Sequence, residues 1–568
     1  MDDVPSEISV LTLNCWGLKY ISELRRERLA EIGRQIAVAD PEPHIVALQE
    51  LWTQEDYRSV RRQTRHKLPY AKFYFSGPFG GGLAILSRWP IEESTMFRYP
   101  LNGRPTAFFR GDWFVGKGVA HARIRYGPAP KHVVDVFNTH THAPYEHGPN
   151  DSYLAHRLAQ AWEMSKLLRA ASERGSLVLA LGDFNMVPLS LEHRLITAHA
   201  PVRDTWRILH PDSSVGPADH PPERARRRPI PTAEFNIREN GAASDGPYNT
   251  WRWPKAQQKR LGVGKPDLPV SPDTIDSRGK RLDYVFAGCG DVAALGGGWV
   301  VSRVSVGMMM RHPELGCSLS DHFAVEATLV FHPLDPANAP QPHHYNHAAD
   351  KSAAMGLTAT TTTTTNTTAT ANTPSTPNPR QQPLHQEKQQ HPDDGSTILD
   401  DKQDDALHNG TYLQSPRTSS VRGPHSFDSQ LLAAVRSPVE PLPASAYDEV
   451  LAATRWYAAR ERAQKRWRGA HFFAAVAAAV GAWVAVWFSP HNWVSFLLML
   501  LLGSLGLVAG TVDGLLALLF FKSELRALRE FEWEIVNAKA ALAAAGGGPP
   551  VPVSDDDGHD DEGDNRGW

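Results

Sequence analysis

Short apolar runs broken by turn-forming residues recur through the first 330 positions of this 568-residue chain. Segments 8–13, 45–48, 83–86, 121–126, 133–138, 177–181, 282–287 and 323–329 are such runs, rich in β-branched or other apolar residues, and read as strands. Segments 24–38 and 154–171 instead space their apolar residues at helical period, with charged residues opposite. Strands interleaved with helices predict an α/β domain ending near Phe331, its sheet layers flanked by helices. The pattern then changes twice. Positions 211–272 turn to Pro, Arg, Asp and Gly, as expected of a long insertion or mobile loop. From about 336 to 443 the chain is rich in Thr, Asn, Pro, Gln and His, with too little apolar content to offset chain entropy, which predicts a disordered linker.

Beyond the linker, 445–468 reads as a helix ending in a basic cluster, Arg460, Arg462, Lys465, Arg466 and Arg468. Two apolar segments follow, about 470–488 and 493–521, separated by Ser-Pro-His-Asn at 489–492. About 20 apolar residues cross a bilayer as a helix, so both are long enough. Basic residues flank both outer ends, the second with Lys522, Arg526 and Arg529. That asymmetry predicts a multi-pass hairpin whose outer ends face the cytosol. Asp513 lies within the second segment, as a functional group, an interface marker or a group facing the partner helix. The expected divisions are thus 1–335, 336–443, 444–535 and an acidic tail, 536–568.

Composition narrows the function. With 59 Lys+Arg against 62 Asp+Glu the net charge is −3, without the basic excess of most nucleic-acid binders, so no nucleic-acid partner is expected. Cys15, Cys289 and Cys317 are scattered, and neither a disulfide framework nor a metal spacing is expected. No cleavable signal is visible at the first residues, which favours a cytosol-facing catalytic region. The Asn-x-Thr matches at Asn366 and Asn409 would matter only in a secretory lumen.

Candidate chemistry sits at strand ends. Gly182-Asp183-Phe184-Asn185 closes an apolar run with a carboxylate and an amide. Ser320-Asp321-His322-Phe323 puts an imidazole beside a carboxylate just before a strand, suited to proton transfer. Glu50 ends another run as a lone carboxylate of the kind Mg2+ takes, and Asn14 ends a fourth. His140 and His142 fall on one side of an extended segment, a spacing that also occurs in zinc sites but here lacks a nearby third ligand. Gly111–Gly118 nearly spells a phosphate-binding loop, yet Gly118 replaces the required Ser or Thr. The segment that follows alternates like a strand where a helix is needed, so it is not a nucleotide site.

In this order the motifs resemble those of the endonuclease/exonuclease/phosphatase superfamily, the DNase I-like fold. Segments 76–91, 101–118 and 151–163 look like its neutral sphingomyelinase branch, which includes the fungal inositol phosphosphingolipid phospholipases C; that branch also carries a C-terminal pair of membrane helices. The resemblance implies a four-layer α/β sandwich and Mg2+-dependent hydrolysis of a phosphosphingolipid to ceramide and a phosphorylated head group. It implies Glu50 and Asn14 as metal-holding residues, His322 as the base supported by Asp321, and Asp183 as the group positioning water or imidazole. Asn185 and His140 would donate to phosphoryl oxygens, and Asp283 would orient a histidine. Asp112 and Lys117 fall in the family's lipid-responsive regulatory segment, with an anionic phospholipid as activator, and an endoplasmic reticulum or mitochondrial membrane suits the family. A membrane-tethered nuclease of the same fold and a non-catalytic scaffold stay open at this point.

Overall fold

The protein is described here from a computed structural model, which covers residues 4–146, 151–334, 427–436 and 441–545. Among the described residues, twelve strands form two six-stranded sheets. The first holds β1 (Glu7–Asn14), β2 (Ile45–Gln49), β3 (Tyr70–Tyr74), β4 (Leu83–Ser87), β11 (Gly297–Gly307) and β12 (Ala324–Pro333), in the order β11-β12-β1-β2-β4-β3. The second holds β5 (Ile91–Arg98), β6 (Gly118–Arg125), β7 (Val133–His140), β8 (Leu177–Asp183), β9 (Arg203–Asp204) and β10 (Asp283–Ala287), in the order β5-β6-β7-β8-β10-β9. At the heart of each sheet lies one parallel pair, β1–β2 and β7–β8, while the neighbours run antiparallel.

The sheets pack face to face. Val10, Ala47 and Ile85 of the first meet Ala122, Val136 and Leu179 of the second in one buried cluster. A polar bolt crosses this interior: Gln49 Nε2 donates to Asn138 Oδ1 at 2.8 Å, and Asn138 Nδ2 donates to the Leu48 and Ala84 carbonyls, both at 3.0 Å. Helices α1 (Arg25–Val38) and α2 (Gln54–Thr64) cover the outer face of the first sheet, α3 (Leu154–Glu173) and α4 (Leu191–His199) that of the second. Both faces of the central strands are therefore buried, which is why they read as continuous apolar runs rather than alternating ones. This is the expected four-layer α/β sandwich.

Segment 211–272, expected as a long insertion or mobile loop, is an ordered insertion. It carries short helices, Pro221–Ala225, Ala233–Arg238 and Lys255–Gln258. Its Thr250 exchanges hydrogen bonds with Ser318 (3.0 and 2.8 Å), Asn249 Nδ2 donates to the Ser320 carbonyl at 3.0 Å, and Trp251 Nε1 donates to the Ser318 carbonyl at 2.8 Å. Buried donors and acceptors fix the segment where composition alone suggested freedom.

Most of the expected linker lies outside the described residues, as do Asn366 and Asn409. Within that span Phe427–Arg436 departs from expectation by forming helix α5, whose Gln430 pairs both ways with the Val301 backbone at 3.0 Å. Two long helices follow, α6 (Ala444–Val486) and α7 (Asn492–Ala545), so that 536–545 is helical rather than tail; both are long and apolar enough to cross a membrane. Their far halves pack on each other closely, with Gly510 against Ala475 and Gly514 against Phe472, as small residues permit. Asp513 faces its partner helix, where it pairs with Arg468 and, at 2.8 Å, with His471. Their near halves join the sandwich: Tyr447, Val450 and Tyr457 of α6 and Leu528, Phe531 and Ile535 of α7 extend the cluster over Leu158 and Trp162 of α3.

Candidate active site

The C-terminal ends of the parallel strands β1, β2, β7 and β8 point the same way, and the antiparallel β10 and β12 begin there. Asn14, Glu50, His140, Asp183, Asp283 and His322 are thereby delivered to one end of the sandwich. Asn14 Nδ2 donates to Glu50 Oε1 at 3.2 Å and to Asp183 Oδ2 at 3.0 Å, which links the two sheets at the site floor. His140 Nε2 approaches the same Asp183 oxygen at 3.6 Å and His322 Nε2 at 3.9 Å. On the far side of its ring, His322 Nδ1 is 2.7 Å from Asp283 Oδ2. Asn185, at φ 46°, donates its backbone N–H to Asp183 Oδ1 at 2.9 Å and its side-chain amide to the Thr141 carbonyl at 3.2 Å. Gly182 precedes this turn at φ 145°; a Cβ there would lie 2.0 Å from the Thr139 carbonyl oxygen, so glycine is required.

Burial sets the electrostatics. It pushes Glu50 up to about 7, with the charge of Asp321 adding to it, and it drives His140 down to about 3, helped by Lys117. Asp283 rises to about 6 by burial, against the pull of His322. Burial opposes charge at Asp183 too, but His322 and His140 hold it below the usual carboxylate range. Burial likewise opposes charge on His322, yet Asp283 and Asp183 raise it well above the ordinary histidine value. The two carboxylates thus favour the charged form of the ring.

The remaining expected residues take different places. Asp112 and Lys117 line a flank, with Lys117 Nζ 3.5 Å from Asp112 Oδ1 and donating to the Thr141 carbonyl at 3.1 Å and the His140 carbonyl at 3.4 Å. Asp321 sits at the rim, half-buried, 3.7 Å from Arg252. His142 does not share the side of His140. Strand β7 ends at His140, and the chain then turns His142 inward to Asp112 (3.6 Å) and onto the Tyr153 ring, its N–H donating to Gln160 at 2.8 Å. Residues to which the sequence assigned no role complete the frame. Arg28, buried in α1, donates to the Cys15, Trp16 and Leu319 carbonyls, and Ser320 Oγ donates to the Asn14 carbonyl at 2.5 Å. Arg28 left one trace in the sequence, a charge beside Leu29 on the apolar side of its helix.

The donor set fits a divalent cation. Glu50 Oε2 is buried without a hydrogen-bond partner, beside an amide-bearing side chain, Asn14. Asp183, Asp283 and His322 form a second compact group of possible ligand atoms, but His322 Nδ1 is already engaged by Asp283 there.

A model of the endonuclease/exonuclease/phosphatase family matches residues 11–322. The chain is 43% identical over 323 residues, 57% of its length and 68% of the relative's, to an inositol phosphosphingolipids phospholipase C of Schizosaccharomyces pombe. The chain belongs to the endonuclease/exonuclease/phosphatase family, in its neutral sphingomyelinase and inositol phosphosphingolipid phospholipase C branch. The Saccharomyces cerevisiae protein of the same name is 28% identical over 94% of this chain and 91% of its own length, a match that takes in the C-terminal helices. Sphingomyelin phosphodiesterase 2 of Rattus norvegicus is 29% identical over 61% of this chain and 70% of its own. The DNase I-like fold expected from the motifs is the fold of this family, and the chain is an enzyme of the phosphodiester-hydrolysing kind.

Proposed function

We propose that this enzyme is a Mg2+-dependent phospholipase C that hydrolyses phosphosphingolipids at the cytosolic face of a membrane, releasing ceramide and the phosphorylated head group. The observation that carries the chemistry is the orientation of His322. Asp283 occupies Nδ1, so Nε2 faces the cleft shared with Asp183, across from Glu50 and Asn14. His322 takes the proton of the attacking water, and the carboxylates on either side stabilise the imidazolium. Asp183, anchored by Asn14 and the Asn185 backbone, positions that water or imidazole. The neutral His140 and the Asn185 amide offer hydrogen bonds to phosphoryl oxygens without adding negative charge. Glu50 and Asn14 would hold the cation, which when bound neutralises charge on the phosphoryl group. As the new P–O bond forms, the bond to the ceramide oxygen breaks; that oxygen takes up a proton from solvent, and His322 returns to solvent the proton it took from the water.

The lipid substrate rests on the family branch, and the membrane on α6 and α7, each apolar enough to span one. We read 470–488 and 493–521 as the spans. Inositol phosphosphingolipid is the first substrate to test. The detergent-purified chain is assayed on inositol phosphoceramide, sphingomyelin, lyso-phospholipid and plasmid DNA, with Mg2+ and with a chelator. Release of ceramide that needs Mg2+ is expected, and nicking of plasmid without ceramide release would overturn the reading.

A further inference from the structure

Where α7 leaves its apolar stretch, a cavity of about 470 Å3 opens between the helix and the catalytic body. Leu101 and Trp113 form one wall, Val512, Leu516 and Leu519 the other, and Glu524 closes one end. The volume lies within the range of about 300–1,000 Å3 typical of ligand sites, and the lining is predominantly apolar. Three further observations say what fills it. The α7 wall belongs to the apolar run that ends at Lys522, so the cavity straddles the level at which the helix would leave the bilayer. Around its other wall stand aromatic side chains turned outward: Phe109 is 99% exposed, and Phe79 and Phe108 are more than half exposed, while Trp113 meets Phe520 of α7 edge-on at 6.0 Å. Exposed rings so placed suit the membrane interface rather than water. Lastly, the cavity shares a wall with the catalytic machinery. Gly103 lines it, and a Cβ there would lie 2.9 Å from Asp112 Cβ and 3.3 Å from His142 Nε2; Asp112 in turn pairs with Lys117, which holds the His140 carbonyl.

We propose that this cavity receives a hydrocarbon chain of the lipid being cleaved, the apolar wall of the substrate site being supplied by the membrane helix itself. The inference rests on the phospholipase reading above. A phosphosphingolipid must rise from the bilayer for its phosphate to reach Asp183 and His322, and each methylene drawn into water opposes that movement. The cavity offers those methylenes a continuous apolar path from the bilayer to the flank of the site. Its polar end at Glu524 lies on the cytosolic side, matching the order of chain and head group in the lipid.

The test compares the full chain with Leu516→Trp, which fills the cavity, and with Val508→Trp, on an exposed face of the same helix outside the cavity. Each is assayed on a long-chain phosphosphingolipid in mixed micelles and on bis(p-nitrophenyl) phosphate, a water-soluble diester without a chain. Leu516→Trp is expected to lower the ratio of the two kcat/KM values at least tenfold, and Val508→Trp to leave it within twofold. An unchanged ratio in Leu516→Trp, or an equal fall in both variants, overturns the proposal. A photoreactive long-chain phosphosphingolipid should also label 101–113 and 512–519, with labelling competed by unlabelled phosphosphingolipid. Competition by phosphatidylcholine to the same degree would mean that bulk bilayer lipid occupies the cavity, against the proposal. If the wild-type chain cleaves the soluble diester but no phosphosphingolipid, the function reading fails rather than the cavity.

Discussion

Asp283 engages His322 through Nδ1, which leaves Nε2 as the ring nitrogen able to face a nucleophile. Replacing His322 by Ala removes the proposed proton acceptor, and a fall in kcat of about 10²–10⁴-fold is expected at saturating Mg2+, with little change in thermal midpoint. Asp283→Asn keeps the shape but weakens control of the ring, so a smaller loss, about tenfold to a hundredfold, should appear in kcat rather than KM. Glu50→Gln addresses the cation instead. Titration calorimetry should show weakened Mg2+ binding, and excess Mg2+ should restore part of the activity; a variant binding Mg2+ like the parent would remove Glu50 from the metal site. Gly182→Ala is a backbone test. The Cβ clash with Thr139 together with the positive φ should cost about 1–3 kcal/mol or more, seen as a lowered denaturation midpoint.

Among the elements, the eight strands of the interior of both sheets were legible as apolar runs, and the four at the sheet edges were not. β3 and β11 border the first sheet, β5 and β9 the second. An edge strand packs on fewer sides, so β5 can be Ile-Glu-Glu-Ser-Thr-Met-Phe-Arg, with no apolar run to find, and β9 is a single residue pair. Helix α2 escaped for a related reason: only Asp56, Val60 and Thr64 of it are buried, a stripe too narrow and too polar to stand out. Segment 211–272 hid its order differently, because its anchors are single polar bonds to the Ser318–Ser320 stretch and isolated apolar side chains, Ile237 and Ala243, rather than a periodic apolar face. Asn249→Ala should leave the Ser320 carbonyl unpartnered and cost about 1–3 kcal/mol, with a parallel loss of activity because His322 follows two residues later. The candidate site residues were legible because each ends or begins a readable strand. The roles of Ser320 and Gln160 were not, and that of Arg28 only as a charge on the apolar side of its helix, since what they bind, main-chain atoms of other segments, leaves little pattern in sequence.

At the scale of the molecule, a buried polar cluster joins the hairpin to the catalytic body. Arg104 Nε donates to Tyr457 Oη at 2.9 Å, Tyr457 donates to Glu524 at 2.8 Å, His156 lies 3.2 Å from Glu524, and Glu461 stands 3.8 Å from Arg104, with Arg460 beside it. Burial pushes both Glu461 and Glu524 up to about 7. Carboxyls raised above their unfolded values near 4.5 bind protons preferentially in the docked state. Their contribution to docking is thus complete below about pH 4.5 and is lost as pH rises through about 7. Hydrogen exchange in 444–461 and 522–540 should accordingly be slower at pH 6 than at pH 8, and Glu524→Gln should flatten that difference; equal protection at both values in the parent would refute the linkage.

The apolar cluster that Tyr447, Tyr457, Leu528, Phe531 and Ile535 complete over α3 has a consequence for how the enzyme can be mobilised. A cut in the chain between 335 and 426 severs the covalent path from the sandwich to the C-terminal helices, yet it leaves this shared core intact. Proteolysis there would yield two fragments that stay together. Setting the enzyme free requires prying the helices off, which strips Leu158 and Trp162 of their cover and leaves a body prone to self-association.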